Sequence, residues 1–259
     1  MKIPYYHVDA FAATPFAGNP AGVCVLEAWL PDETMLGIAA ENNLSETAFL
    51  VEAQDHYKLR WFTPVTEVDL CGHATLASAH VVFRHLGHAD PIVRFESKGG
   101  TLPVAREGEV LILDFPARPG ERCNTPPTLR EGLGSEPVEV YRARDYLAVF
   151  STQVEVEALE PDMELLKQVV CLGVIATAPG DEVDFVSRFF APSVGIPEDP
   201  VTGSAHCTLI PYWSARLGKQ KLRARQVSAR GGELTCEDAG ERVKIGGRAT
   251  TYLVGEIVL

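Results

Sequence analysis

The chain repeats itself, and the repeat fixes how many folded units it can form. Arg60-Trp61-Phe62-Thr63-Pro64 leads into Asp69-Leu70-Cys71-Gly72-His73-Ala74. Arg188-Phe189-Phe190-Ala191-Pro192 leads likewise into Asp199-Pro200-Val201-Thr202-Gly203-Ser204-Ala205. Gly72 and Gly203 lie 131 residues apart, and each opens a segment that closes 15 residues later on a Leu-Gly pair, Leu86-Gly87 or Leu217-Gly218. Ser97-Lys98-Gly99-Gly100 and Gly108-Glu109 recur as Ser228-Ala229-Arg230-Gly231-Gly232 and Gly240-Glu241. Similarity at a fixed offset marks a duplicated structural unit. A chain of 259 residues then divides into two parts of about 130, each long enough to bury its own core. Duplicated halves tend to bring matching loops face to face, so function is expected at the seam.

The pattern of elements is mixed α and β, an α+β class. Strands are expected at Pro4 to Phe11, Ala48 to Ala53, Lys58 to Phe62, Val93 to Glu96 and Glu109 to Phe115 in the first half. The second half offers Val138 to Ala143, Tyr146 to Phe150, Gly173 to Ala178, Asp184 to Phe190, Arg242 to Gly246 and Thr250 to Leu259. Helices are expected at Asp32 to Asn43, behind Pro31 and with an acidic first turn, and at Glu160 to Val170. The helix after Gly72 is apolar almost all round, with Leu76, Ala79, Phe83 and Leu86 on one face and Ala74, Ala77, Val81 and Val82 over much of the rest. Such a helix is buried on nearly every side. Its counterpart after Gly203 has the same habit, so each half reads as a sheet curled around one central helix. The expected boundaries are 1–116 for the first half, a Pro- and Gly-rich crossing segment at 117–136, and 137–249 for the second. The strand at 250–259 is a candidate to return to the first half.

A formal net charge of −12 sets the whole-molecule field against polyanions, so neither nucleic acid nor an anionic membrane is an expected partner. No apolar run approaches the ~18 residues of a membrane helix. Met1 to Ala10 alternates like a strand and lacks the pattern of a signal peptide, so the expected setting is cytoplasmic. The six cysteines are scattered without the close pairs of a zinc site and read as reduced thiols.

A glycine in the first turn of a buried helix leaves backbone N–H groups and the positive end of the helix dipole facing outward, which suits a carboxylate or phosphate. Cys71 and His73 flank one such glycine. Thr202 and Ser204 flank the other, with Asp199 just upstream. The competing reading is that these are ordinary turns in which Ser204 and Asp199 cap the helix. Glu46 by itself reads as a surface turn glutamate, or as a carboxylate at a cleft rim whose partial burial raises its pKa. His80, His85 and His88 are spaced by five and three, which is not the i, i+4 pattern of a metal site. No metal is expected. Arg223, Arg225 and Arg230 with Lys219 and Lys221 read as a solvated basic face.

Four motifs together resemble the PhzF-like family, the phenazine-biosynthesis isomerase group within the diaminopimelate epimerase-like fold. They are Gly18-Asn19-Pro20-Ala21-Gly22, Asn43-Leu44-Ser45-Glu46-Thr47-Ala48-Phe49, Phe62-Thr63-Pro64 with Cys71-Gly72-His73-Ala74-Thr75, and Glu198-Asp199-Pro200-Val201-Thr202-Gly203-Ser204-Ala205. The resemblance implies two pseudo-symmetric domains, each a curved, mostly antiparallel sheet around a central helix. It also implies an active site in the interdomain cleft, no cofactor, and a homodimer. It makes Glu46 the acid/base that moves a proton between carbons, with His73, Asp199 and Ser204 completing the catalytic set. Asn19, Cys71, Gly72, Thr202 and Gly203 then bind a small carboxylate substrate.

One departure separates two chemistries within this fold. Two-thiol epimerases carry a cysteine before the glycine in both halves, whereas here Cys71 is matched by Thr202. An alcohol cannot replace a thiolate as a general base at neutral pH. A single carboxylate that shuttles a proton needs no such partner, so isomerisation through Glu46 is the leading expectation. The alternatives are an epimerase or racemase that uses Cys71 with a non-thiol partner, and a non-catalytic small-molecule sensor.

Overall fold

A computed structural model describes residues Met1 to Leu259 and separates them into two compact units. The first comprises Met1–Asp114 with Gly246–Leu259, and the second Phe115–Ile245. No helix is long and apolar enough to cross a membrane.

In chain order the first unit contains β1 (Lys2–Ala10), β2 (Asn19–Leu26), α1 (Asp32–Asn42), β3 (Glu46–Glu52), β4 (Tyr57–Phe62) and β5 (Glu67–Val68). They are followed by α2 (Gly72–Arg84), β6 (Ile92–Ser97), β7 (Gly100–Glu107) and β8 (Val110–Pro116). The second unit contains β9 (Glu121–Cys123), α3 (Pro127–Leu133), β10 (Glu139–Arg142), β11 (Tyr146–Val149), α4 (Gln153–Glu157), α5 (Met163–Leu166), β12 (Val174–Pro179) and β13 (Phe185–Phe190). A single 3-10 turn at Pro192–Val194 precedes α6 (Gly203–Leu217), β14 (Lys221–Gln226), β15 (Gly232–Asp238) and β16 (Arg242–Gly247). The last strand, β17 (Ala249–Val258), runs antiparallel to β1 and belongs to the first unit.

In the first unit β1 lies between β17 and β2, both antiparallel to it, and β2 runs parallel to β3. Helix α2 packs against β1, β2 and β3. Ala74, Leu76, Ala77, Ala79, Val81 and Val82 on it are wholly buried, as an all-round apolar helix requires. Helix α1 covers the outer side of β3, where Met35, Ile38 and Ala39 join Cys24, Phe49 and Phe62 in a separate cluster. It stops at Asn43, whose left-handed φ of 48° turns the chain into β3.

In the second unit β11 and β12 run parallel and β12 and β13 antiparallel, with β14 parallel to β13. Helix α6 is the counterpart of α2. Its Trp213 stacks on Phe185 and donates to Thr177 Oγ1 at 3.0 Å. Pro211 lies inside α6 and has no N–H to give the carbonyl of Cys207, so that acceptor is filled from outside by the Arg118 N–H at 2.8 Å.

The duplication extends to side chains. Arg60 grips Glu67 with two parallel hydrogen bonds, and Arg188 grips Glu198 in the same way. Each glutamate stands five residues before its helix-opening glycine, and each guanidinium also lies over a phenylalanine two residues on, Phe62 or Phe190. Bidentate pairs of this kind fix direction as well as distance. Each therefore anchors the loop that delivers a helix start.

Several expectations from sequence differ from the observed elements. The 117–136 stretch is not a plain crossing, because it holds β9 and α3, whose Leu129 and Leu133 enter the second core. The helix expected over Glu160 to Val170 is the single turn α5, because Asp162 accepts from Glu164 N and Leu165 N and starts it late. The basic cluster keeps its solvated character: Lys221, Arg223 and Arg225 lie on the outward side of β14, where Leu222, Ala224 and Gln226 alternate inward. Lys219, just before the strand, pairs with Asp184, and Arg225 with Glu182 and Glu233.

Candidate active site

Three chain segments build the site in the first unit. Gly18 allows the first: its φ is +67°, and a Cβ there would stand 2.1 Å from the Ala10 carbonyl oxygen, so no other residue fits without displacing the loop. The next residue, Asn19, opens β2 and is wholly buried. Glu46 opens β3 beside it, with Ala21 as its register partner. The first turn of α2 brings in His73.

His73 sits at the centre of the group. Its Nδ1 accepts from Asn19 Nδ2 at 3.1 Å, and its Nε2 lies 3.2 Å from Glu46 Oε2. Cys71 Sγ is 3.6 Å from the same Nδ1. The ring is buried, and burial pushes its pKa down to about 3. It is therefore neutral at pH 7, and with Nδ1 taken by the Asn19 amide its proton resides on Nε2, facing the Glu46 carboxylate. Glu46 keeps its side chain 12% exposed, while its Oε2 facing His73 is buried. Glu46, Cys71 and His73 also place an oxygen, a sulfur and a nitrogen within 4.8 Å of one another, a geometry that a metal ion can use. As hydrogen-bonded here, His73 has no free lone pair for a cation, so the donor set does not fit one.

Neither α2 nor α6 has a side-chain cap. The chain does cap helices elsewhere, with the reciprocal Thr152–Glu155 box on α4 and Asp162 on α5. At α6 the residue in the cap position, Thr202, turns its hydroxyl to Asp199 and not to the helix. The N–H groups of Gly72, His73 and Ala74 point out of a buried helix with the dipole behind them.

The corresponding group in the second unit is organised around Thr202. Its hydroxyl donates to Asp199 Oδ2 at 2.5 Å and accepts from Gln226 Nε2 at 3.2 Å, while Gln226 Oε1 takes the Thr202 N–H at 2.8 Å. Asp199 thereby holds the loop at the α6 start. Ser204 Oγ accepts from Arg144 Nη2 at 3.0 Å, and Arg144 is in turn held by the buried Asp145. His206 donates from Nδ1 to the Thr202 carbonyl at 2.9 Å, the same one-turn back-bond that Thr75 makes to Cys71. Arg144, Asp145 and Gln226 escaped the sequence reading. Ser204 lies 60 residues after Arg144 and Thr202 lies 24 before Gln226, and no spacing rule links either pair.

The fold is epimerase-like, and relatives that the chain matches over its whole length are named isomerases. The family description "Phenazine biosynthesis-like protein" (PhzC-PhzF) matches residues 8–255, and the chain belongs to that family. An uncharacterized isomerase of Pseudomonas aeruginosa is 53% identical over 259 residues, covering 100% of both chains. The crystal structure of a PhzF-family phenazine biosynthesis protein from Enterococcus faecalis superposes with a TM-score of 0.98 at 51% identity, again over 100% of both. A hydroxyproline epimerase from Agrobacterium vitis shares the fold alone, with a TM-score of 0.63 at 12% identity over 99% of this chain and 92% of that one.

Proposed function

We propose that the protein is a cofactor-independent isomerase in which Glu46 takes a proton from one carbon of a small carboxylate substrate and returns it to another. The observation that carries this reading is the placement of Glu46 against a neutral Nε2–H of His73, itself fixed by Asn19. A carboxylate in that position accepts a carbon-bound proton, and the nearby Nε2–H of His73 favours its charged form before the transfer and after the proton is returned. The uncapped start of α2 binds the substrate carboxylate. The second unit presents a matching helix start on α6, with Ser204 and Arg144 beside it.

The alternative of an epimerase or racemase that uses Cys71 with a non-thiol partner finds no support in Thr202 as that partner, because its proton and lone pair are already engaged by Asp199 and Gln226. Asp199 acts in this reading as a positioning residue for Thr202 and the α6 start. We also propose a homodimer, supported by the exposed Phe16, Tyr252, Leu253 and Val254 of the first unit, with sedimentation velocity as its test.

The enzymatic reading is tested by incubating the protein in heavy water with dihydro-hydroxyanthranilate and a panel of unsaturated and amino carboxylates, following carbon-bound hydrogen by NMR. Rearrangement or deuterium uptake that disappears in Glu46→Gln is the expected result. Binding without exchange, with Glu46→Gln altering affinity alone, would make the protein a sensor instead.

A further inference from the structure

At the other end of α2 the first unit has an open pocket of about 650 Å³ that contains none of the residues assigned above. It lies between the last turn of α2, the β7–β8 hairpin and the start of β17. Its charged lining is unusual for a chain of net charge −12: three arginines, Arg84, Arg106 and Arg248, against the single carboxylate of Glu109. Arg60, Arg144, Arg188 and Arg216 each pair with a carboxylate within 3.0 Å. The pocket arginines form no such pair, and Arg106 lies 4.6 Å over the Phe83 ring instead. Unpaired guanidinium groups gathered on one concavity are the usual arrangement for recognising phosphate or carboxylate oxygens.

Two histidines complete the wall. The Nε2 atoms of His80 and His85 both meet Thr251 Oγ1, at 2.9 and 2.8 Å. A hydroxyl has one proton, so it donates to one ring and accepts an N–H from the other. The ring that accepts carries its own proton on Nδ1, a further donor. Burial and the Arg84 charge press both histidines toward the neutral form, as expected where positive charge is concentrated without a counter-ion. The floor is apolar, formed by Phe83 and Leu111.

We propose that this pocket binds a small multivalent oxyanion, a phosphorylated or polycarboxylate metabolite, through Arg84, Arg106 and Arg248. It is a site separate from the Glu46–His73 group: His73 and Arg84 are eleven residues apart on α2, about 16 Å along its axis. The assignment therefore stands or falls independently of the isomerase reading.

Pyrophosphate and citrate serve as probes, titrated separately by calorimetry at fixed ionic strength and mapped by amide chemical shifts. Saturable binding of either, with shifts at His80 to His85, at Arg106 to Glu109 and at Thr250 and Thr251, is expected. Preference for pyrophosphate identifies a phosphoryl ligand, and preference for citrate a polycarboxylate. The Arg106→Gln/Arg248→Gln variant should bind about tenfold more weakly or worse, through lost charge-assisted hydrogen bonds. Glu109→Gln, at an exposed turn, should bind more tightly, which guards against a trivial loss through misfolding. The proposal is overturned by no saturable binding of either probe up to about 10 mM, by unchanged affinity in the double arginine variant, or by shifts confined to Gly72, His73 and Ala74.

Discussion

Acidification between pH 7 and 5 should destabilise this protein through two histidines. His73 in the first unit and His206 in the second are buried, and burial lowers their pKa values to about 3 and about 4. In the unfolded chain each returns to about 6.5. Below that value the unfolded state binds a proton that the folded state refuses, so stability is complete above pH 6.5 and declines as pH falls toward the folded values. At pH 5 the protonation gap is about 1.5 units per histidine, which at about 1.36 kcal/mol per unit amounts to about 2 kcal/mol each and about 4 kcal/mol together. That is a large part of the 5–15 kcal/mol typical of a folded domain. The pH window also separates histidines from carboxylates: Glu67, lowered to about 2 chiefly by Arg60, begins to weaken the fold only below its ordinary value of 4.5. His80, lowered to about 4, works in the same direction, whereas the exposed His56, raised by Asp55 and Glu96, opposes weakly. Urea unfolding monitored by circular dichroism at closely spaced pH values gives the slope directly. His206→Gln retains a donor for the Thr202 carbonyl and should roughly halve the loss. A wild-type change below about 1 kcal/mol over this range, or an identical slope in His206→Gln, would refute the reasoning.

Four further outcomes follow from the geometry. Arg188→Met leaves Glu198 without its bidentate partner and frees the Leu159 carbonyl that Arg188 also binds, so a loss of about 3 kcal/mol is expected in urea unfolding. Thr202→Val strands Asp199 and Gln226 and should cost about 1–3 kcal/mol; Thr202→Cys should gain no epimerase activity, as chiral chromatography of amino acid substrates would report. Gly18→Ala forces a Cβ onto the Ala10 carbonyl at a positive φ and should cost about 3 kcal/mol or abolish folding, read as the yield of native protein.

The helix starts were legible because the duplication made them so. Gly72 and Gly203 are the observed first residues of α2 and α6, and Gly218 caps α6 in the left-handed conformation as its position suggested. Helix α2 ends earlier, at Arg84, with His85 to Gly87 folded back by bonds from Leu86 N and His88 N to Val81 and Val82. Strand β2 was hidden by Pro20 and Gly22, residues that mark turns in isolation. The paired Arg60–Glu67 and Arg188–Glu198 grips are readable only after the two repeats are aligned, since their internal spacings are seven and ten residues. Asn19 and Glu46 became candidates through family resemblance alone, because the contact that unites them with His73 spans three separate elements. No local pattern records such a contact.

The most direct test of the central claim compares Glu46→Gln with Cys71→Ala for hydrogen exchange at substrate carbon in heavy water. A single-carboxylate isomerase predicts a loss of about 10²–10⁴-fold in Glu46→Gln and little change in Cys71→Ala. Exchange that survives in Glu46→Gln and vanishes in Cys71→Ala would contradict it and make the thiol the base.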